Sequence, residues 1–452
     1  MFRTSVIGLG KLGACMAACF AHKGFETIGV DLNPKSVAAV NNGEAPVDET
    51  GLSDMIAACK TKLKATTDYA EAIQNSDATF VIVPTPSESN GSFSLKYARE
   101  SFKEIGRALK NKKGYHLVVM TSTVLPGGTE LGLLPVLEKE SGKKCGTDFG
   151  LCYSPEFIAL GSVIRDFLNP DFVLIGESDK KAGDMLESFY EKISDNHAPA
   201  ARMNIMNAEL TKVSVNSFMT MKISFANMLA ALCEQLPGGN VNDVTKALGL
   251  FGGVGKRSLN GGMGYGGPCL PRDNVALSYL AKSLNQEIAI PESVDRFNRS
   301  ISERILNIVL KSAAPGSRVA LLGLAYKPAT WVIEESQGIE LASLLADRGF
   351  NVVAYDPKAM ESARQKLQEK IGYASSVEEA LKDANVVVVT TPDAGFQNLP
   401  LSLLSTARKP VVIDVWRQFS ETIGQNKAID YVAIGIGPQN KQLTDRLIKL
   451  WN

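Results

Sequence analysis

The sequence predicts an α/β protein of two doubly wound domains joined by a long central helix, and three observations predict it. Short, near-continuous apolar runs, typical of strands buried on both faces of a parallel sheet, occur in one cluster before residue 130 and a second after residue 315. A glycine-bearing turn follows the first run of each cluster. Between the clusters, residues 207–235 contain neither Gly nor Pro. A chain of 452 residues also exceeds what one core supports. The expected division is 1–200, 201–300 and 301–452.

The first run, Thr4 to Ile7, leads into Gly8-Leu-Gly10-Lys-Leu-Gly13, a helix from Leu12 to Lys23, and a strand from Thr27 to Val30 that closes on Asp31. GxGxxG between a strand and a helix is a dinucleotide fingerprint: glycines let the backbone approach a pyrophosphate seated on the helix N-terminus. Asp31 can accept from the adenosine ribose 2′-OH and would repel a 2′-phosphate, which favours NAD over NADP. Strands are expected at 78–86 and 117–123. The order returns at Arg318–Gly323, Val352–Asp356, Asp383–Pro392 and Val411–Asp414, and Ser76–Pro86 matches Lys382–Pro392 almost element for element. This is a second Rossmann-like domain. Its turn reads Gly323-Leu-Ala-Tyr-Lys327-Pro and lacks the fingerprint. Lys327 suits a nucleotide phosphate or ribose better than a second NAD, a surface lysine being the alternative.

The glycine-free stretch makes a helix about 40 Å long, ended by Pro237-Gly238-Gly239. Its polar residues Glu209, Lys212, Asn216, Thr220, Ser224 and Asn227 are spaced three or four apart, which puts them on one face. With few charges elsewhere on the helix, that row reads as lining a site rather than as a solvated stripe.

Composition narrows the chemistry. Lys+Arg and Asp+Glu number 48 each, so no basic footprint for nucleic acid or an anionic membrane is present, and the expected partners are small molecules and further subunits. No signal segment or spanning apolar run is visible, which points to the cytoplasm. Seven cysteines without CxxC pairs argue against a disulfide framework and a zinc site. The three histidines, His22, His116 and His197, lack metal-ligand spacing, so no metal is expected and the catalytic groups fall to Lys, Asp, Glu and Cys.

Cys269 differs from the other six thiols. It sits in Gly261-Gly-Met-Gly-Tyr-Gly-Gly-Pro-Cys269-Leu-Pro-Arg-Asp273, a loop whose backbone N–H groups are expected to wrap an anionic or hydroxyl-rich ligand, with Lys212 the candidate cation for the thiol.

With these residues assembled, the chain resembles the UDP-glucose/GDP-mannose dehydrogenase family over essentially its full length. The shared elements are Gly8 to Gly13, Val83-Pro84-Thr85-Pro86, Ser122-Thr123, Ser154-Pro-Glu156-Phe157, Lys212 with Asn216 and Lys222-Ile-Ser-Phe225, Gly266-Gly-Pro-Cys269 with Asp273, and Gly323 to Lys327-Pro. The resemblance implies NAD-dependent, four-electron oxidation of a nucleotide sugar at C6. Lys212, Asn216 and Asp273 would assist proton removal, Cys269 would carry a thiohemiacetal and then a thioester, and Glu156 and Thr123 would direct the hydrolytic water. It further implies cofactor contacts at Gly8, Gly10, Leu12, Gly13, Asp31, Lys35, Pro84, Thr85 and Thr123. Substrate contacts are implied at Glu156, Phe157, Lys212, Asn216, Arg257, Tyr265, Gly266 and Lys327.

Two departures stand out. Where relatives place an arginine ahead of the glycine loop, this chain has Gly253, with Lys256 and Arg257 following; after Lys327, Glu334 replaces another arginine. The absence of a Gly-Gly-His-Cys pattern favours UDP-glucose over N-acetylated sugars, with GDP-mannose or a UDP-N-acetylhexosamine the alternatives. A β-hydroxyacid dehydrogenase would share the first domain and the Lys-Asn helix but needs neither Cys269 nor a third domain. A non-catalytic scaffold would not need Lys212, Cys269 and Asp273 together. The apolar surface of the long helix predicts a homodimer or larger assembly.

Overall fold

The computed structural model describes residues 2–404 and 409–451. The chain divides into two compact units, Met1–Val215 and Asn216–Asn452. The first carries an eight-stranded sheet of β1 (Arg3–Ile7), β2 (Glu26–Val30), β3 (Leu63–Thr66), β4 (Ala78–Val81), β5 (His116–Met120), β6 (Phe149–Tyr153), β7 (Val173–Glu177) and β8 (Ala200–Asn204). Its order is β3-β2-β1-β4-β5-β6-β7-β8, parallel except between β6 and β7. The second unit carries β9 (Arg318–Leu322), β10 (Asn351–Tyr355), β11 (Gly372–Tyr373), β12 (Val386–Val389), β13 (Val411–Asp414) and β14 (Asp430–Ala433), in the order β11-β10-β9-β12-β13-β14. In both sheets the strand order runs outward from the first strand on one side and then switches to its other side, the switch point where α/β folds take ligands.

The apolar runs behave as strands buried on two faces. Val6 belongs to one apolar cluster and Ile7 to the other; Leu117 and Val119 go one way, Val118 and Met120 the other. The second sheet repeats this, with Val386 and Val388 on one side and Val387 and Val389 on the other. The strands are shorter than the apolar runs. β4 stops at Val81 and β5 at Met120, because Ile82–Pro86 and Thr121–Thr123 leave the sheet at its carboxyl edge, where a site is built.

The long helix spans Ile205–Cys233. It is inside-out by the usual pattern: Glu209 and Thr220 are fully buried and Lys212, Asn216, Ser224 and Asn227 nearly so, while Phe218, Phe225 and Leu232 are 55%, 45% and 54% exposed. The polar row thus points inward, as its spacing suggested. Glu209 shows why a charge is tolerated there: its carboxylate accepts from the N–H groups of Gly127 and Thr129 at 2.6 and 2.7 Å, fixing the turn that follows Thr123.

His116 is buried on β5, where Thr79 bonds its Nε2 at 2.7 Å and continues through Ser5 to Ser76. His22 and His197 are exposed. Among the described residues no helix is long and apolar enough to cross a membrane and no cluster has the makings of a metal site.

Candidate active site

The turn after β1 is shaped by its glycines. Gly8 has φ 96°, and a β-carbon there would stand 2.2 Å from the Ile82 carbonyl oxygen; one at Gly13 would stand 1.8 Å from the Gly8 carbonyl oxygen. Both positions need glycine for close packing. At Gly10 a β-carbon would meet nothing within 4 Å. That open space faces the start of helix Lys11–His22, whose first turn has neither a side-chain cap nor an acidic residue, so its N–H groups suit a pyrophosphate. Asp31 Oδ2 accepts from Leu9 N–H at 2.7 Å and Oδ1 from Asn33 N–H at 2.8 Å. The carboxylate holds the turn and keeps lone pairs for a ribose hydroxyl. Leu12 is half-buried and Lys35 exposed, the latter one residue inside a helix capped by Asn33. These residues fit NAD.

The two loops leaving the sheet meet: Thr85 Oγ1 donates to the Thr123 carbonyl at 2.8 Å, and Ser122 Oγ to the Val83 carbonyl at 2.6 Å, while Pro84 stays exposed. In the same unit Lys212 Nζ donates to the Glu156 carbonyl at 2.7 Å and lies 4.4 Å from the centre of the Phe157 ring. Tyr190 donates to Glu156 Oε1 at 3.1 Å and accepts from Ser154 at 3.2 Å. Burial pushes the Glu156 carboxyl up to about 7, against the opposing pull of Tyr190 and Lys212. The carboxyl feels a dry environment even though part of the residue reaches solvent. Tyr190 had no motif to give it away.

In the second unit Asn216 Nδ2 donates to Asp273 Oδ2 at 2.6 Å, and Asp273 is buried. Asp273 lies one turn into helix Leu270–Ser283, for which Cys269 is the N-cap residue. Cys269 is exposed; of the other six cysteines, five are buried and Cys145 is intermediate. This sets one accessible thiol where helix N–H dipoles favour negative charge.

The expectation that the glycine loop offers its N–H groups to a ligand is corrected for four of them, which are bonded within the protein. Gly262 N–H is donated to Asn227, Gly264 N–H to Gln337, Tyr265 N–H to Asn298 and Gly267 N–H to the Glu334 carbonyl. Tyr265 is likewise turned inward: its hydroxyl donates to Asp295 and accepts from Asn274. Gly266 is required for packing, since a β-carbon would stand 2.3 Å from the Glu335 carbonyl oxygen. Arg257 is exposed.

The second sheet hides its kinship to the first. Gly323 has φ 107°, and a β-carbon at Gly338 would come 2.6 Å from the Gly323 carbonyl oxygen. Gly323 and Gly338 therefore take the places of Gly8 and Gly13, with an inserted turn, 325–336, between them. Asp356 stands where Asp31 does, but four backbone N–H groups (Leu324, Ala325, Lys358 and Ala359) cap its buried carboxylate. The ribose acceptor is consumed. A cavity of about 100 Å³ opens instead along the inserted turn, lined by Lys327, Gln337, Thr390 and Trp416.

Comparison with known proteins identifies the family. The NAD binding domain of the UDP-glucose/GDP-mannose dehydrogenase family matches residues 2–194, its central domain 206–300 and its UDP binding domain 320–421. The UDP-glucose 6-dehydrogenase of Haloferax volcanii is 35% identical over 434 residues, 95% of this chain and 99% of that protein. The GDP-mannose 6-dehydrogenase of Pseudomonas syringae pv. syringae is 36% identical, covering 88% and 92%. The structure of a UDP-glucose dehydrogenase from Pyrobaculum islandicum superposes with a TM-score of 0.86 at 33% identity, covering 97% of this chain and 98% of that one. The chain belongs to the UDP-glucose/GDP-mannose dehydrogenase family, NAD-dependent nucleotide-sugar 6-dehydrogenases.

Proposed function

We propose that the substrate is UDP-glucose and that Cys269 carries it as a thiohemiacetal and then a thioester on the way to the uronic acid. The carrying observation is the exposed Cys269 at a helix N-terminus, with the buried Asp273 one turn along the same helix and bonded to Asn216 of the long helix. NAD+, held at Gly8, Gly10, Gly13 and Asp31, supplies the hydride acceptor for both oxidations.

The chain's own groups do the rest. Lys212, with the Asn216–Asp273 pair and a water, takes the C6 hydroxyl proton during the first oxidation. The Cys269 thiolate then adds to the aldehyde carbon, and the Lys212 ammonium stabilises the oxygen that becomes anionic. The second oxidation leaves a thioester. Glu156, poised near neutrality by burial, deprotonates a water aligned with Thr123; the C–S bond breaks and the thiol is restored. The balance is one alcohol, one water and two NAD+ giving one carboxylate, two NADH and three protons. Lys327 and the cavity beside it hold the nucleotide.

UDP-glucose is preferred because Pro268 precedes the thiol where relatives acting on N-acetylated sugars carry histidine. Relatives named for GDP-mannose are equally similar in sequence, so the base is decided by assay. NADH formation with UDP-glucose, GDP-mannose and UDP-N-acetylhexosamines should give the highest kcat/KM for UDP-glucose; a preference for GDP-mannose would overturn the substrate assignment. The exposed apolar side of Ile205–Cys233 supports a homodimer or larger assembly, to be read by sedimentation.

A further inference from the structure

The backbone of Gly261–Tyr265 is held by side chains from four separate segments. Arg417 Nη2 donates to the Gly261 carbonyl at 2.5 Å. Asn227 accepts from Gly262 N–H at 2.6 Å and donates to the Met263 carbonyl at 3.1 Å. Gln337 accepts from Gly264 N–H at 2.6 Å and donates through Nε2 to the Asn298 carbonyl at 2.9 Å. Asn298 closes the run, accepting from Tyr265 N–H and donating to the Tyr265 carbonyl, both at 2.9 Å.

All three amides are buried. They press directly on the loop: a β-carbon at Gly264 would stand 2.2 Å from Asn298 Oδ1 and 2.3 Å from Gln337 Nε2. A glycine run has more freedom to lose than any other, and here paired amides order it as a neighbouring strand would. Gln337 differs from the other two amides because it also lines the cavity beside Lys327. Its oxygen and one of its amide hydrogens are committed to protein, so its groups are arranged to hold the loop. Four residues beyond Tyr265 the same loop delivers Cys269.

We propose that Gln337 is a positioning residue that links the nucleotide cavity to the thiol: its carboxamide, clamped between Gly264 and Asn298, fixes the loop that presents Cys269. The proposal rests on the function given above, in that it takes the cavity for the nucleotide and the thiol for the covalent step.

Gln337→Met keeps the volume and removes both hydrogen bonds. The test measures kcat and KM for the nucleotide sugar, and iodoacetamide labelling of Cys269 with and without UDP, beside thermal melting and NAD+ affinity. We expect kcat to fall about 10–100-fold, the penalty of a misplaced reacting group, with KM within about threefold. UDP should alter the wild-type labelling rate several-fold but the variant's by less than about twofold, with melting and NAD+ affinity retained. An unchanged kcat with an intact UDP effect would overturn the proposal. A raised KM at constant kcat would also overturn it, by making Gln337 a ligand contact, as would wild-type labelling indifferent to UDP. If Gln337→Met does not fold, Gln337→Glu, which keeps the acceptor for Gly264 N–H and loses the donor to the Asn298 carbonyl, is judged by the same outcomes. A wild type that reduces NAD+ with no nucleotide sugar would sink the proposed function instead, while the UDP labelling arm still decides the clamp.

Discussion

Replacing Asp31 by Asn separates two tasks that the carboxylate performs at once. Its oxygens accept from Leu9 N–H at 2.7 Å and Asn33 N–H at 2.8 Å. The isosteric amide can satisfy one of these and turns an NH2 toward the other. Losing one charge-assisted bond at a partly exposed site costs about 1.5 kcal/mol, the low end of the usual range. For a unit of this size that lowers the melting temperature by about 3–6 °C. Losing the anionic acceptor for the ribose hydroxyl removes about 1.5–3 kcal/mol of binding, so KM for NAD should rise roughly 10–150-fold. Discrimination against NADP should relax by a similar factor, because the charge that repels a 2′-phosphate is gone. Initial rates with each cofactor, beside a melting curve, read all three effects. A lowered melting temperature with unaltered NAD kinetics and unaltered NADP rejection would refute the reasoning and leave Asp31 as a brace for the turn.

Glu156→Gln removes the group proposed to activate water: since burial favours the neutral carboxyl up to about pH 7, wild-type thioester hydrolysis should climb through that pH, and the variant should lose the climb and about 10²–10⁴ in rate in single-turnover assays. His116, held neutral by burial with its conjugate acid pushed down to about 3, makes the native state refuse a proton that the unfolded chain accepts below about 6.5. Stability should therefore fall by about 1.6 kcal/mol between pH 6.5 and 5, and urea midpoints of His116→Gln should lack that slope; equal slopes would contradict it.

Local chemistry carried most of what could be read in advance. Gly8, Gly13 and Asp31 act within one βαβ unit, so spacing alone located the turn. Gly338 escaped notice because fifteen residues, not five, separate it from Gly323, and only the fold shows it packed on the Gly323 carbonyl. The helix was legible in length and in its polar row, and the burial of Glu209 and Thr220 shows that row turned inward. In the glycine loop, the N–H groups of Tyr265, Gly262 and Gly264 are taken by Asn298, Asn227 and Gln337, at separations of 33, 35 and 73 residues, and no local pattern connects such distant positions. Tyr190, reaching Glu156 from 34 residues away, is a case of the same kind.

The covalent role of Cys269 is tested most directly by counting NADH per sugar acid in the wild type and in Cys269→Ser. Serine preserves size, and buried amides hold the loop, so the variant should fold and bind NAD normally. Its hydroxyl is far less nucleophilic near neutral pH, so turnover should drop by orders of magnitude. The wild type should release two NADH per acid and yield a thioester adduct at Cys269 when quenched with acid. Near-wild-type turnover by Cys269→Ser, still at two NADH per sugar, would contradict the covalent account.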